Sequence, residues 1–258
     1  MSITTRSAFT YGHTITVDNQ SMPFSENGVD ELVATFRIGA YTLGDFATEM
    51  ARAMNEAGTL NYVTTLDRST YKITISGDAV FWLYVTSSTL SSVSPYSLLG
   101  FTTERSGTAS SYEGDLMSGS IFKPQFLLQS FVAFEDNQEA NEVTVNETAS
   151  GRIQVVKYGD INFMECNITA QTNIRQAKGS AVEDNPTGED DLRAFMKYIV
   201  TKAPIEFIPD RDATAFTDCL LEKTQRSSKG TGYKLKELYT KGYANWWESG
   251  LITFREIK

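Results

Sequence analysis

The stretch YTLGDFATEMARAMNEAG, Tyr41–Gly58, sets one amphipathic helix among segments that otherwise alternate as strands. Thr42 with Asp45 three positions on is the pattern of a capping box, and Gly58 stands where a helix is closed at C′. Leu43, Phe46, Met50, Met54 and Ala57 recur at helical spacing and make one apolar stripe. A single apolar face needs a sheet to bury against, so the flanking sequence is expected to supply one.

It does so on both sides. Upstream, Phe9, Tyr11, His13, Ile15 and Val17 alternate with polar residues, and Leu32, Ala34, Phe36 and Ile38 do so again, which predicts two strands. Downstream, LNYVTTL and YKITISG flank DRST and predict a β-hairpin whose turn starts at Asp67. VFWLYV predicts a third strand, buried on both faces, and Pro95 in SPYSLLGF suits the first turn of a short helix. The Gly-, Ser- and Thr-rich TTERSGTASSYEGDLMSGS has no period and predicts a loop or linker.

Beyond it, the apolar run Phe126–Phe134 predicts a buried strand, followed by an acidic connection through Glu135, Asp136, Glu139 and Glu142. GRIQVVKYGD and INFMECNITAQT predict two strands around a tight turn at Tyr158–Asp160. Thr187 and Asp190 form a second capping box, and Leu192, Phe195, Met196, Ile199 and Val200 make the stripe of a second helix. APIEFIPD, AFTDCLLEKT and GLITFREIK read as strands. The expected fold class is α+β, mainly β: an antiparallel sheet or barrel packed by one helix, with an inserted helix-plus-hairpin module. The expected boundaries are 1–37 for strands of the main barrel, 38–118 for the inserted module and its linker, and 119–258 for the barrel domain with its helix.

The 258 residues, 41% hydrophobic and 21% charged, suffice for a buried core. A net charge of -9 argues against a surface that grips duplex nucleic acid, which needs a basic footprint. No apolar run reaches the roughly 18 residues that span a bilayer. The polar opening MSITTRSAFTYG lacks the features of a secretory leader, so assembly in a cytoplasm, with no membrane partner, is expected.

The polar residues form no recognised catalytic motif. His13 is the sole histidine, which excludes His-rich metal sites, and no Gly-x-Ser-x-Gly elbow accompanies it, so a packing or interface role is expected. Cys166 and Cys219 lie in apolar surroundings and read as buried small hydrophobes. Glu183, Asp184, Glu189, Asp190 and Asp191 lack EF-hand spacing, and the last three fit the positive end of a helix. SSKGTGYK lacks the spacing of a phosphate loop, and no motif indicates the paired carboxylates of a glycan hydrolase. The expectation is a protein that is not an enzyme and uses no metal or cofactor.

Charge is unevenly spread along the chain. Lys223, Arg226, Lys229, Lys234, Lys236 and Lys241 are basic, whereas Glu135–Glu147 is acidic. Two solvated loops would account for this, and so would a head-to-tail contact between copies, in which complementary patches fix the register. On the second reading Lys229, Lys234 and Lys236 face Glu135, Asp136 and Glu139 of a neighbour. Trp246 and Trp247 in YANWWES then serve as aromatic anchors, if they are not core.

Taken in order, IGAYTLGDFATEMARAMNEAG, YVTTLDRSTYKITISG, FWLYVTSS and SPYSLLGFT resemble a module of structural proteins in tailed bacteriophages and other viruses, over about Ala40–Phe101. The second half, from FEDNQEANEVTVNETASGRIQVVKYGD through DLRAFMKYIVTKAPIEFIPD to the last strand, resembles phage tail proteins of the tube and distal-tail type. That resemblance implies antiparallel barrels with one helix, assembled into rings, commonly hexamers, around a channel through which DNA only passes. It implies a virion component whose partners are its own copies and neighbouring tail proteins. The alternative is a decoration or receptor-binding subunit that holds host surface glycan on Tyr and Trp side chains.

Overall fold

A computed structural model of the chain describes residues 8–119, 121–122, 126–128, 143–147, 153–157, 162–171, 192–209, 215–225, 232–237 and 246–257. The architecture is α+β and mainly β, with antiparallel sheets. The chain forms two compact units. An insert unit comprises Thr10–Ile121 with Pro204–Glu206, and a flanking unit comprises Met1–Phe9, Phe122–Ala203 and Phe207–Lys258.

In the insert unit the helix forms as its sequence predicts. Helix α1 (Leu43–Ala57) starts at Thr42, whose Oγ1 accepts from the Asp45 N–H at 3.2 Å. It buries Leu43, Phe46, Ala47, Met50, Ala53 and Met54. Each large apolar side chain so enclosed stabilises the unit by about 1.5–3 kcal/mol. The C-terminal end differs from expectation. Gly58 is extended (φ -105°) rather than left-handed, and its N–H still closes the helix on Met54 O at 2.9 Å. A Cβ there would stand 2.1 Å from Glu26 Oε1, so a larger residue would push the Glu26 carboxylate aside. The Glu26 carboxylate caps the next segment, accepting from Thr59 N, Thr59 Oγ1, Leu60 N and the Tyr62 hydroxyl.

Two sheets flank α1. One has the order β4-β3-β8-β9, from β3 (Ser21–Ser25), β4 (Leu32–Thr35), β8 (Trp82–Leu83) and β9 (Arg105–Ser106). The other has the order β10-β7-β6, from the predicted hairpin β6 (Tyr62–Asp67) and β7 (Lys72–Gly77) with β10 (Ser111–Glu113). The hairpin turn is set by Asp67, whose carboxylate accepts from Ser69 N, Ser69 Oγ and Thr70 Oγ1.

The helix closes one edge of each sheet, β6 of the one and β4 of the other. Asn55 exchanges hydrogen bonds with the main chain of Tyr62 on β6, and the Thr64 hydroxyl donates to Ala47 O. On the other side Arg52 donates to Thr35 O at the end of β4, and Glu49 accepts from Arg37 N at 2.7 Å. Edges that would be open to another chain are thereby occupied.

Two expectations change here. VFWLYV is read as a buried strand, yet only Trp82–Leu83 pair, with Phe81, Leu83 and Val85 inward and Trp82 and Tyr84 half-buried. Pro23 in β3 has no N–H to extend that ladder, and its carbonyl takes Tyr84 N and the Tyr96 hydroxyl instead. The expected loop after Phe101 contains β9 and β10. Asp115 holds it by accepting from Thr102 N, Thr103 N and Arg105, while buried Tyr112 donates to Phe81 O. Pro95 does begin a short turn, a 3-10 helix over Pro95–Ser97 with Ser94 as its cap.

The boundary expected at 37/38 lies instead between Phe9 and Thr10. Ile15, Met22, Phe24, Ala34 and Phe36 share one core with Phe46, Met50, Ile73, Ile75 and Phe81, so β3 and β4 belong to the helix–hairpin unit, whereas Ala8–Tyr11 pairs in the main sheet. Val17 and Ile38, placed on inward faces by alternation, are exposed.

In the flanking unit the sheet path is β11-β1-β16-β17-β19-β15-β12, with β18 also on β19. Its strands are β1 (Ala8–Tyr11), β11 (Ile121–Phe122), β12 (Phe126–Leu128), β15 (Phe163–Gln171), β16 (Ile205–Ile208), β17 (Thr217–Thr224), β18 (Lys236–Glu237) and β19 (Trp246–Glu256). The chain passes between units within β1, β11 and β16. Closure of this sheet into the expected barrel is not found among the described residues.

Helix α2 (Leu192–Ile199) presents Leu192, Phe195, Met196 and Ile199, the predicted stripe. Phe195 stacks on Phe122 with centroids 4.3 Å apart, and Phe9 touches Phe195, Phe207 and Phe254 within 5.5 Å. β17 bulges between Leu221 and Lys223, and Lys202 Nζ donates to the carbonyls of Leu221 and Glu222 there. β14 (Ile153–Lys157) pairs with β13 (Val143–Glu147) in a ribbon of its own and not with β15, although the sequence suggested a hairpin with the latter. The turn at 158–160, the Thr187–Asp190 capping box and the run 129–134 lie outside the described residues.

Candidate assembly surface

β19 positions the residues proposed for contact between copies. Lys236 on β18 lies opposite Glu248, with Nζ 3.2 Å from Oε1, so its charge is answered within the chain. Sequence reading missed Glu248, which follows Trp247 directly and whose pairing depends on register. Trp247 lies between Glu237 on β18 and Ala170 on β15. Its ring is half-buried and its Nε1 is enclosed without a hydrogen-bond partner among the described residues, which is the environment of a sheet residue more than of a free anchor. Trp246 pairs with Gln171 by its backbone. Lys234 is exposed two residues before β18. The structure thus brings Lys234, Lys236, Trp246 and Trp247 to neighbouring strands, while Lys229, Glu135, Asp136 and Glu139 lie outside the described residues.

Reactive groups elsewhere are disposed for packing. Cys166 and Cys219 are buried and unbridged, and burial pushes the Cys166 thiol up to about 12, away from the thiolate a nucleophile needs. Burial lowers His13 to about 4, against the opposing effect of a hydrogen bond with the Leu98 backbone. No group of three or more His, Cys, Asp or Glu that could hold a metal ion occurs among the described residues, and none of the described helices is long and apolar enough to cross a membrane.

The acid excess of the chain is concentrated in the insert unit, with thirteen acidic residues against five basic ones. Much of it has local work. Glu26, Asp67 and Asp115 cap turns as described, and Glu104 accepts from Thr86 N, Thr86 Oγ1 and Ser87 Oγ. Fully buried Glu206 accepts from Gly44 N at 3.1 Å and from Arg68 at 2.5 Å, joining the first turn of α1 to the hairpin turn. No protein-family model matches the chain, and no curated protein matches it.

Proposed function

We propose that this chain is a non-enzymatic structural protein of a tailed-phage virion, a ring-forming tail component of the tube or distal-tail type. It would assemble in the host cytoplasm with its own copies and with neighbouring tail proteins, and DNA would pass through the ring without being bound. The observation that carries the reading is the insert unit. The capped helix, the Asp67 hairpin and the Pro95 turn, in the order on which the viral resemblance rests, pack into one core. The acid excess lends the channel no weight, because so many of the carboxylates are occupied in capping turns.

Electron microscopy of negatively stained protein, with light scattering for mass, tests this. Rings with a central hole are expected. A monomer at every concentration, also in the presence of tail assemblies, would overturn the ring. Lys234→Glu is the variant of choice, since Lys236→Glu would disrupt the pair with Glu248 inside one chain. The Lys234→Glu protein should assemble poorly with an unchanged circular dichroism spectrum, and normal rings from it would remove the charged contact from the proposal.

A further inference from the structure

Residues 13–41 run as one long hairpin. β2 (His13–Ile15) and β5 (Gly39–Tyr41) pair at its base, Phe36 N bonds to Gln20 O beyond them, and β3 pairs with β4 as far as Phe24 opposite Leu32. The tip, residues 26–31, carries Asn27 followed by Gly28, the one Asn-Gly step of the chain.

In such a step the amide nitrogen after the asparagine can attack the side-chain carbonyl, and Gly28 has no Cβ to stand in the way. The bond from Gly28 N to Asn27 Cγ forms as the Cγ–Nδ2 bond breaks, and the proton of the Gly28 N–H joins Nδ2, which leaves as ammonia. Water then opens the cyclic imide at either carbonyl and leaves aspartate or isoaspartate at position 27. Asn27 is exposed, so water reaches it.

The groups that must react are nevertheless all held. Ser25, fully buried at the end of β3, is the centre of the arrangement. Its Oγ accepts from Gly28 N at 2.9 Å and from Asn27 N at 3.3 Å, and it donates to Asn27 Oδ1 at 3.2 Å. The attacking N–H is thereby turned to a buried hydroxyl and away from base in the solvent. Asn27 Oδ1 also accepts from Val29 N and Asp30 N, at 2.9 Å each, and because both are donors that atom is the oxygen. Nδ2 donates to Asp30 Oδ2 at 2.8 Å. The main chain is fixed as well: Gly28 has φ +74°, and a Cβ on it would stand 2.8 Å from the Trp82 indole. Ring closure needs the Gly28 nitrogen stripped of its proton and Cγ swung onto it, and each of these contacts opposes one of those movements.

We propose that Asn27 is a latent deamidation site, kept shut in the folded chain by Ser25 and open to reaction when the hairpin tip opens. Conversion leaves a lasting mark. Aspartate at 27 sets a second carboxylate against Asp30 where the Nδ2 donor stood, and isoaspartate adds a main-chain methylene where Gly28 meets Trp82.

Incubation of the whole chain at mildly alkaline pH, with and without urea, followed by mass spectrometry of the peptide that holds Asn27, tests this. The native protein should convert at least about tenfold more slowly than the unfolded chain, because the tip opens only seldom. Equal rates would overturn the proposal. Ser25→Ala removes the acceptor for Gly28 N and a donor to Oδ1, and should speed native conversion about three- to tenfold with an unchanged circular dichroism spectrum. A wild-type rate in that folded variant would take the guarding role from Ser25. Should Ser25→Ala misfold, Asp30→Ala at an exposed position frees Nδ2 in a folded chain, and conversion no faster than wild type would show that these bonds do not hold the site shut.

Discussion

At the scale of single residues, Glu206 illustrates what sequence reading could not reach. In APIEFIPD it is a polar residue within a strand, and nothing marks it as a buried carboxylate whose partner, Arg68, lies in a turn far upstream. Cutting one member of such a pair leaves a charge enclosed without compensation, which costs about 3–5 kcal/mol. Arg68→Met should therefore lower the unfolding free energy measured by urea denaturation by that amount, and a loss under 1 kcal/mol would show that water satisfies Glu206 instead. His13 and the cysteines were easier to place, since burial is the ordinary state of an uncharged residue in an apolar setting.

At the scale of elements, legibility followed periodicity. Helices α1 and α2 and the β6–β7 hairpin were readable because their stripes and turn residues act over a few neighbouring positions. β9, β10 and β13 were not, since two to five residues carry little period, and what holds them is distant, as Tyr112 on Phe81 and Arg105 on Asp115 make plain. The contact residues were legible only as charge and aromatic clusters, because the pairing of Lys236 with Glu248 depends on a register that no local signal encodes. The helix cap offers a clean check of the local rule. Thr42→Ala removes the acceptor for Asp45 N and should cost about 1 kcal/mol in chemical denaturation, with Thr42→Ser restoring most of it.

At the scale of the molecule, proton binding sets how stability responds to acid. Hydrogen bonds and charged partners hold Glu49, Glu26 and Glu104 below their ordinary value despite burial that opposes the shift, and hydrogen bonds from Ser69 and Thr70 hold Asp67 near about 2. Each contributes stability that is complete above the unfolded carboxylate range near ~4 and is lost as pH falls through the folded value. His13 acts earlier, destabilising as pH drops from its unfolded 6.5 towards about 4. Thermal melts from pH 7 to pH 2 should therefore fall in two stages, and His13→Gln should erase the upper one only. A single decline below pH 4 in both proteins would show that the histidine is not enclosed. The division into two units was partly visible in the sequence. Its boundary was missed because strands β3 and β4 alternate like any others, and only their packing on α1 assigns them.

The place of β19 has a consequence for the order in which the chain is made. That strand bonds to β15, β17 and β18, so the centre of the flanking sheet is supplied by residues that leave the ribosome after all of its neighbours. Nearly all of the insert unit is synthesised before them and can collapse on its own core during translation. The first-made residues of β1, Ala8 and Phe9, must meanwhile wait for Phe254 to arrive.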